Sequence, residues 1–372
     1  MTKRNVFSLK FLLIGIFLSK NLLAQRLHPG FDKTEYIETL KINQKAHIAV
    51  DKWTENTAVP NPQYFNFVYR SPKVAFDNIW DLWISKSKPI ALIAVQGSIP
   101  TEASFLANLY AAMVPAKGEL QLEKDLKFKY DVAQHPNAAV HVGWLVAMAY
   151  LSKSILHKID LCHKAGIKDF ILTGHSQGGG ITFLLNSYLE NLKNEDKIPD
   201  DIRFKTYCSA GPKPGNLFFA YDYENMTKGG WAYNVVNTSD WVPDVPFSVQ
   251  KVDDFTAVNP FRGAKAIIRK LKFPKNLALK HVFNQLDKPS RKAQKNYQKY
   301  LGQMVSRAVK KQLPTFVLPE YYNSNYYVRA GNTIVLYADD AYFKSFSNDP
   351  NNPNIWQHHL PKPYLFLAEK LE

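Results

Sequence analysis

Gly174, His175, Ser176, Gln177 and Gly178 place one hydroxyl between two glycines, each two residues away. A serine becomes a protein nucleophile when a sharp turn strains its backbone and lifts the side chain clear, and glycines at those spacings permit the turn. The hydroxyl needs a base, and the base needs an orienting carboxylate. On a strand-to-helix turn the chain order is Ser, then Asp or Glu, then His. C-terminal to Ser176 the histidines are His281, His358 and His359. Among the carboxylates, Asp240 follows an apolar segment closely and precedes the stiff pair Val242 and Pro243, with Asp244 as its competitor.

Such a site requires a sheet edge to stand on. Residues 90–95 (IALIAV) form a continuous apolar run ending at Gly97, the pattern of a strand buried on both faces. Trp144, Leu145, Met148, Leu151, Ile155, Ile159 and Cys162 recur at three-and-four spacing, so a long helix is expected to end near Gly166. Residues 169–173 then read as a strand running into Gly174, and Ile181, Leu184, Leu185, Tyr188, Leu189 and Leu192 mark the next helix. Further strands are expected at 204–208, 232–237 and 328–338, the last interrupted by Gly331. This alternation predicts an α/β fold, a mostly parallel sheet with helices on both faces.

From Val140 to Gly180 the chain resembles the class 3 lipases, the fungal-lipase-like branch of the α/β-hydrolases: His141, Gly143 and Trp144 are similar to that family's helix start, and the GHS-x-GG turn follows. Residues 209–216 (SAGPKPGN), Asp240 to Pro243 (DWVP), and His359 with Tyr364 and Leu365 are similar to its later motifs, in the same order. The resemblance implies a Ser176–His359–Asp240 triad, with Gly174, His175 and Gly178 forming the nucleophile elbow. It also implies an oxyanion hole from the backbone N–H groups of Gln177 and Ser98. Two positions depart from the family pattern: Gln177 stands where Leu is common, and Gln96 replaces an Arg. Because the donors are backbone groups, neither change removes them. Phe105, Leu106, Leu109, Tyr110 and Met113 line one helical face of 101–113, where the family carries a lid; an ordinary core-packing helix accounts for the stripe equally well.

The expected function is therefore that of an exported serine carboxylester hydrolase of lipase type, acting on acylglycerol-like lipid esters or on another ester. The alternative is a noncatalytic lipid- or envelope-binding protein on the same scaffold. An unusual insertion, 249–325, separates Asp240 from His359. Between Lys251 and Lys311 it carries 16 Lys and Arg against Asp253, Asp254 and Asp287, a net +13. Basic helices are expected at 264–271 and 294–309, separated by Pro274 and Pro289. Lys265, Arg269, Lys270 and Lys272 suit an anionic membrane surface, whereas a solvated cap is the plainer reading.

The 372 residues carry 47 Lys and Arg against 32 Asp and Glu, and 46% are hydrophobic, enough for a full core and too much for a disordered chain. Lys3, Arg4 and Lys10 precede the apolar run 11–18, and Ala24 closes the segment, the pattern of a secretory signal peptide cleaved near Ala24. Its alternative is an uncleaved anchor. Residues 25–372 would then form one secreted or periplasmic domain. Cys162 and Cys208 sit in apolar settings and are expected as free buried thiols. No cofactor, metal or nucleic-acid partner is expected, since there is no His/Cys cluster, no phosphate-cradling loop and no recognition motif. His28, His47, His135, His157, His163 and His281 read as structural or exposed residues. Asn225 and Asn237 begin N-x-[ST] triplets, and neither is expected to carry a glycan.

Overall fold

A computed structural model describes residues 27–53 and 58–372. The expected signal peptide lies outside the described residues. Seven strands build the central sheet in chain order: β1 (Phe65–Arg70), β2 (Trp80–Ser85), β3 (Ile90–Val95), β4 (Asp169–His175), β5 (Arg203–Ser209), β6 (Ala232–Asn237) and β7 (Asn332–Leu336). The first two pairings are antiparallel, and every pairing from β3 onward is parallel. Parallel neighbours need crossovers, and helices supply most of them.

The helices are α1 (Lys33–Lys45), α2 (Glu102–Leu109), α3 (Val142–Lys164), α4 (Gln177–Asn194), α5 (Leu217–Met226), α6 (Pro260–Arg269), α7 (Lys275–Gln298), α8 (Val305–Gln312), α9 (Asp340–Ser345) and α10 (Pro361–Ala368). Alternation along β3 explains its unbroken apolar sequence. Ala91, Ile93 and Val95 pack in the core beneath α3 and α4. Ile90, Leu92 and Ala94 pack in the core beneath α1 and α10, with Tyr36, Leu40 and Tyr364. Both faces are dry, so no polar alternation survives. With a mostly parallel sheet, helices on both faces and a sharp turn after β4, this is an α/β-hydrolase fold. Cys162 and Cys208 are free and buried.

Several expectations need correction in detail. The run 328–338 divides at Gly331, which takes φ +80°: Tyr327–Val328 joins a small second sheet, and only Asn332–Leu336 enters the main one. The 101–113 stripe forms the shorter helix α2, which ends before the strand Met113–Pro115. α2 buries Leu106 and Ala107 while leaving Phe105 and Leu109 exposed. β1, β2 and α1 have no counterpart among the expected elements. α1 buries Tyr36, Leu40 and Ile42, yet polar residues such as Glu38, Lys41 and Asn43 are buried there too, which blurs its stripe.

The insertion is helical, but its helices differ from those expected. α6 begins at Pro260, which suits a first turn, and Asn259 caps it by accepting from Phe261 N–H. α7 runs straight through Pro289, so this proline does not separate two helices. A proline removes one N–H and crowds the preceding turn. Here the next turn is held by Asp287, whose buried carboxylate accepts from Lys265 at 3.0 Å and Arg291 at 2.7 Å. A π-helical segment, Lys299–Met304, joins α7 to α8. The Leu301 carbonyl accepts from Ala111 and Ala112 N–H at 3.0 and 3.2 Å, tying this end of the insertion to the segment after α2.

Candidate active site

β4 delivers Ser176 to the sheet edge and α4 begins immediately after it. Ser176 takes φ 61° and ψ −130°, a strained backbone for a residue with a side chain. Its N–H donates to the Ser209 carbonyl at 2.9 Å, and its own carbonyl accepts from Gly180 N–H at 3.1 Å. The glycines on either side are required by contact. A Cβ on Gly178 would lie 2.2 Å from the Val95 carbonyl oxygen, and one on Gly174 would lie 2.3 Å from the Gly178 backbone. The hydroxyl therefore stands between β3 and β5 with no room for a larger turn.

Asp240 lies just past β6 and His359 just before α10. Their side chains meet, with His359 Nδ1 2.8 Å from Asp240 Oδ2, both residues being buried. A carboxylate accepts, so Nδ1 carries the proton and Nε2 keeps its lone pair. Asp240 also accepts from the Tyr364 hydroxyl at 2.7 Å and from Val242 N–H at 3.0 Å. Three donors thus fix one carboxylate. Asp244 is exposed and pairs with Arg329 at 3.1 Å. His358 is turned elsewhere: Asn237 donates to the Tyr342 hydroxyl, which in turn donates to His358 Nδ1 at 2.8 Å. Asn237 itself is buried, while Asn225 is exposed. His281 is exposed on α7, remote in sequence from every residue of this cluster.

His175 connects the elbow to the loop that carries His359. Its Nε2 lies 2.7 Å from the His359 carbonyl, which can only accept, so the proton sits on Nε2. Burial, with the nearby His359, holds its pKa well below the ordinary value, and the ring is neutral. Nδ1 then accepts from Ser209 Oγ at 3.1 Å, and Ser209 Oγ accepts from the Tyr36 hydroxyl at 2.9 Å. Tyr36 belongs to α1, so the first described helix braces the far side of the elbow.

Gln177 is the first residue of α4, where a backbone N–H has no partner within the helix. Its side chain turns away, donating to the Ser104 carbonyl at 2.9 Å and to Asn108 Oδ1 at 3.0 Å. Asn108 also donates to Ser98 Oγ at 2.9 Å and accepts from Trp144 Nε1 at 3.0 Å. The two backbone donors expected to form an oxyanion hole are thus linked through one α2 amide. Nothing in the sequence singled out Asn108, which stands in α2 between Ala107 and Leu109. Gln96 is held separately, its side chain donating to the Ala46 carbonyl. His141 caps α3 and stacks on Trp144 with ring centroids 3.7 Å apart.

Ser176 opens onto two clefts. One, of about 330 Å³, has walls that include Asn43, His47, Ile99, Trp356 and His359. The other, of about 300 Å³, is more apolar, with Leu109, Trp144, Val245, Phe247, Tyr297 and Leu301 among its walls. Ser98, Phe105 and Trp356 border both. Tyr297 and Leu301 come from the insertion, which therefore walls the site directly. Among the described residues no group of three or more His, Cys, Asp or Glu side chains is placed to hold a metal.

Residues 92–250 match the family model for lipase (class 3). A secreted mono- and diacylglycerol lipase from Fusarium solani is 32% identical over 108 residues, 29% of this chain and 29% of the fungal protein. The match therefore spans less than a third of that relative's length. Among solved structures, a Rhizomucor miehei lipase propeptide complex is 17% identical, covering 57% of this chain and 62% of the other at a TM-score of 0.40. A Yarrowia lipolytica lipase is 15% identical, covering 60% and 77% at 0.42.

Proposed function

We propose, for a chain whose residues 92–250 match the family model for lipase (class 3), that it is an exported serine carboxylester hydrolase acting on acylglycerol-like lipid esters. The observation that carries this reading is the buried Asp240–His359 pair, whose imidazole lines the same cleft as Ser176. Ser176 attacks the ester carbonyl while His359 Nε2 takes its proton. His359 then protonates the departing alcohol, and Asp240 stabilises the imidazolium without taking the proton itself. The N–H groups of Gln177 and Ser98 bind the oxyanion, each worth about 3 to 4 kcal/mol by analogy with measured donors. Water resolves the acyl-enzyme through the same imidazole.

Lipid as the substrate class is supported by the apolar cleft, by exposed Phe247 and Leu109 at its edge, and by the acylglycerol named for the Fusarium relative. Export is supported by the basic and apolar N-terminal segment and by that relative's being secreted. Among the described residues no helix is long and apolar enough to cross a membrane. In this reading the insertion rests on an anionic lipid surface through Arg269, Lys270 and Lys272, joined by Lys265 in part, since Lys265 also pairs with Asp287.

Hydrolysis of short- and long-chain p-nitrophenyl esters, compared with a Ser176→Ala variant, tests the reading. The expected result is turnover at least 10³-fold above the variant. Equal rates for the two proteins would reject it in favour of a lipid-binding scaffold.

A further inference from the structure

The two clefts at Ser176 can be told apart by the chemistry of the leaving group. His359 must hand its proton to the departing oxygen, so the alcohol leaves on the side of the imidazole. His359 walls the 330 Å³ cleft, which places the alcohol there and the acyl chain in the apolar cleft opposite. The alcohol side has a polar wall formed by Asn43 and Gln44 of α1 and by His47 just beyond it.

Two features of that wall lack a structural explanation. Asn43 is 2% exposed, and its Nδ2 donates to Thr173 Oγ1 at 3.0 Å, yet its Oδ1 has no partner. A buried acceptor left unpaired has lost its water without gaining a partner. His47 is an exposed residue whose ring lines the cleft. A neutral imidazole there offers one donor and one acceptor, and desolvation against the cleft wall, with Arg70 and His359 nearby, favours that neutral form. A Cβ on Gly97 would lie 3.4 Å from His47 Nε2 and 3.5 Å from Ser176 Cβ, which keeps the ring within about 7 Å of the nucleophile's Cβ. That separation is about the reach of a three-carbon polyol.

We propose that His47, on the cleft wall beside Asn43, forms a polyol subsite that hydrogen-bonds a free hydroxyl of a glycerol-like leaving alcohol, favouring partial acylglycerols over esters of simple alcohols. The subsite rests on the serine hydrolase reading, and it is built by a helix outside the 92–250 segment. The reaction is unchanged: the acyl carbon–oxygen bond breaks, and the glycerol oxygen leaves with the proton from His359. His47 holds a hydroxyl that does not react.

The test uses the full chain and two soluble esters of one medium-chain acid, the monoacylglycerol and the methyl ester. The ratio of their kcat/KM values is measured in the wild type, His47→Leu and His47→Gln. The wild type is expected to prefer the monoacylglycerol. His47→Leu should lower the ratio about fivefold, the worth of one hydrogen bond between neutral groups, and His47→Gln should recover part of it. A ratio that does not move in His47→Leu, including a parallel loss on both esters, overturns the subsite alone. A wild type that is active without preferring the monoacylglycerol does the same. A wild type that cleaves neither ester overturns the hydrolase reading together with the subsite.

Discussion

The sheet and the insertion use opposite physics within one chain. Every residue of β4 and β6 is buried, and around them Asp240, His175 and Gln177 are fixed by hydrogen bonds to distant parts of the sequence. In α6 no residue is buried, and Phe261, Phe273 and Leu286 of the insertion are 59%, 77% and 72% exposed. A hydrophobic groove of about 430 Å³ runs between α6 and α7, walled by Phe255, Phe261, Ile268, Val282 and Leu286. Three carboxylates serve sixteen basic residues there. The first region is held rigid by what it buries. The second displays apolar and cationic side chains together, which is the composition of an interfacial element. In the proposed reading, catalysis falls to the part held by burial, and lipid contact to the part that leaves its apolar side chains exposed.

The largest expected effect falls on the rigid side. Asp240→Asn keeps the shape but removes the charge that holds the His359 tautomer, and kcat should fall about 10⁴-fold with little loss of stability. A fall under tenfold in ester hydrolysis would separate Asp240 from the chemistry. Gly178→Ala comes next. Its Cβ would meet the Val95 carbonyl at 2.2 Å, so urea unfolding should show a loss of about 3 kcal/mol together with activity. A variant as stable and active as the parent would mean that the elbow is not tight.

On the exposed side, replacing Arg269, Lys270 and Lys272 with Gln should weaken binding to anionic vesicles about 100-fold at low salt, near 1 kcal/mol per charge. Hydrolysis of a soluble short-chain ester should survive in that variant. Vesicle sedimentation reads the first quantity. Unchanged binding would reduce the insertion to a cap and erase the contrast between the regions.

The last effect is confined to acid. Burial lowers the His141 pKa to about 3, so the folded state refuses a proton that the unfolded chain accepts near pH 6.5. The resulting stability is present above pH 6.5 and is lost as pH falls from there toward 3. His141→Asn should flatten that acid limb by up to about 1.4 kcal/mol per pH unit, measured by denaturation at a series of pH values. An identical slope in both proteins would show that His141 is protonated when folded.

The same contrast governs how much was legible in the sequence. β3 and β4 could be read because burial on two faces leaves uninterrupted apolar runs, and the turn at Ser176 because its glycines are sterically required. Asp240 stood out by its place after β6, whereas choosing His359 over His358 needed the family resemblance. Tyr342 explains the difference structurally, since it engages the His358 ring at Nδ1. Asn108 and His47 were not legible as parts of the site. Each acts through partners far along the chain, and neither residue type at its position carries a pattern. In the insertion Pro289 misled, because a buried Asp287 with two cationic partners supports a helix that local propensity would end.

Hydrolysis by this protein requires the Ser176 hydroxyl to be activated by the His359 ring in the proposed reading. Incubation with a p-nitrophenyl organophosphate, read by intact mass and peptide mapping, tests this most directly. One phosphoryl adduct on Ser176, formed in the wild type and at least 100-fold more slowly in His359→Ala, is the predicted result. An adduct on another serine, or equal labelling of Ser176 with and without the imidazole, would contradict it.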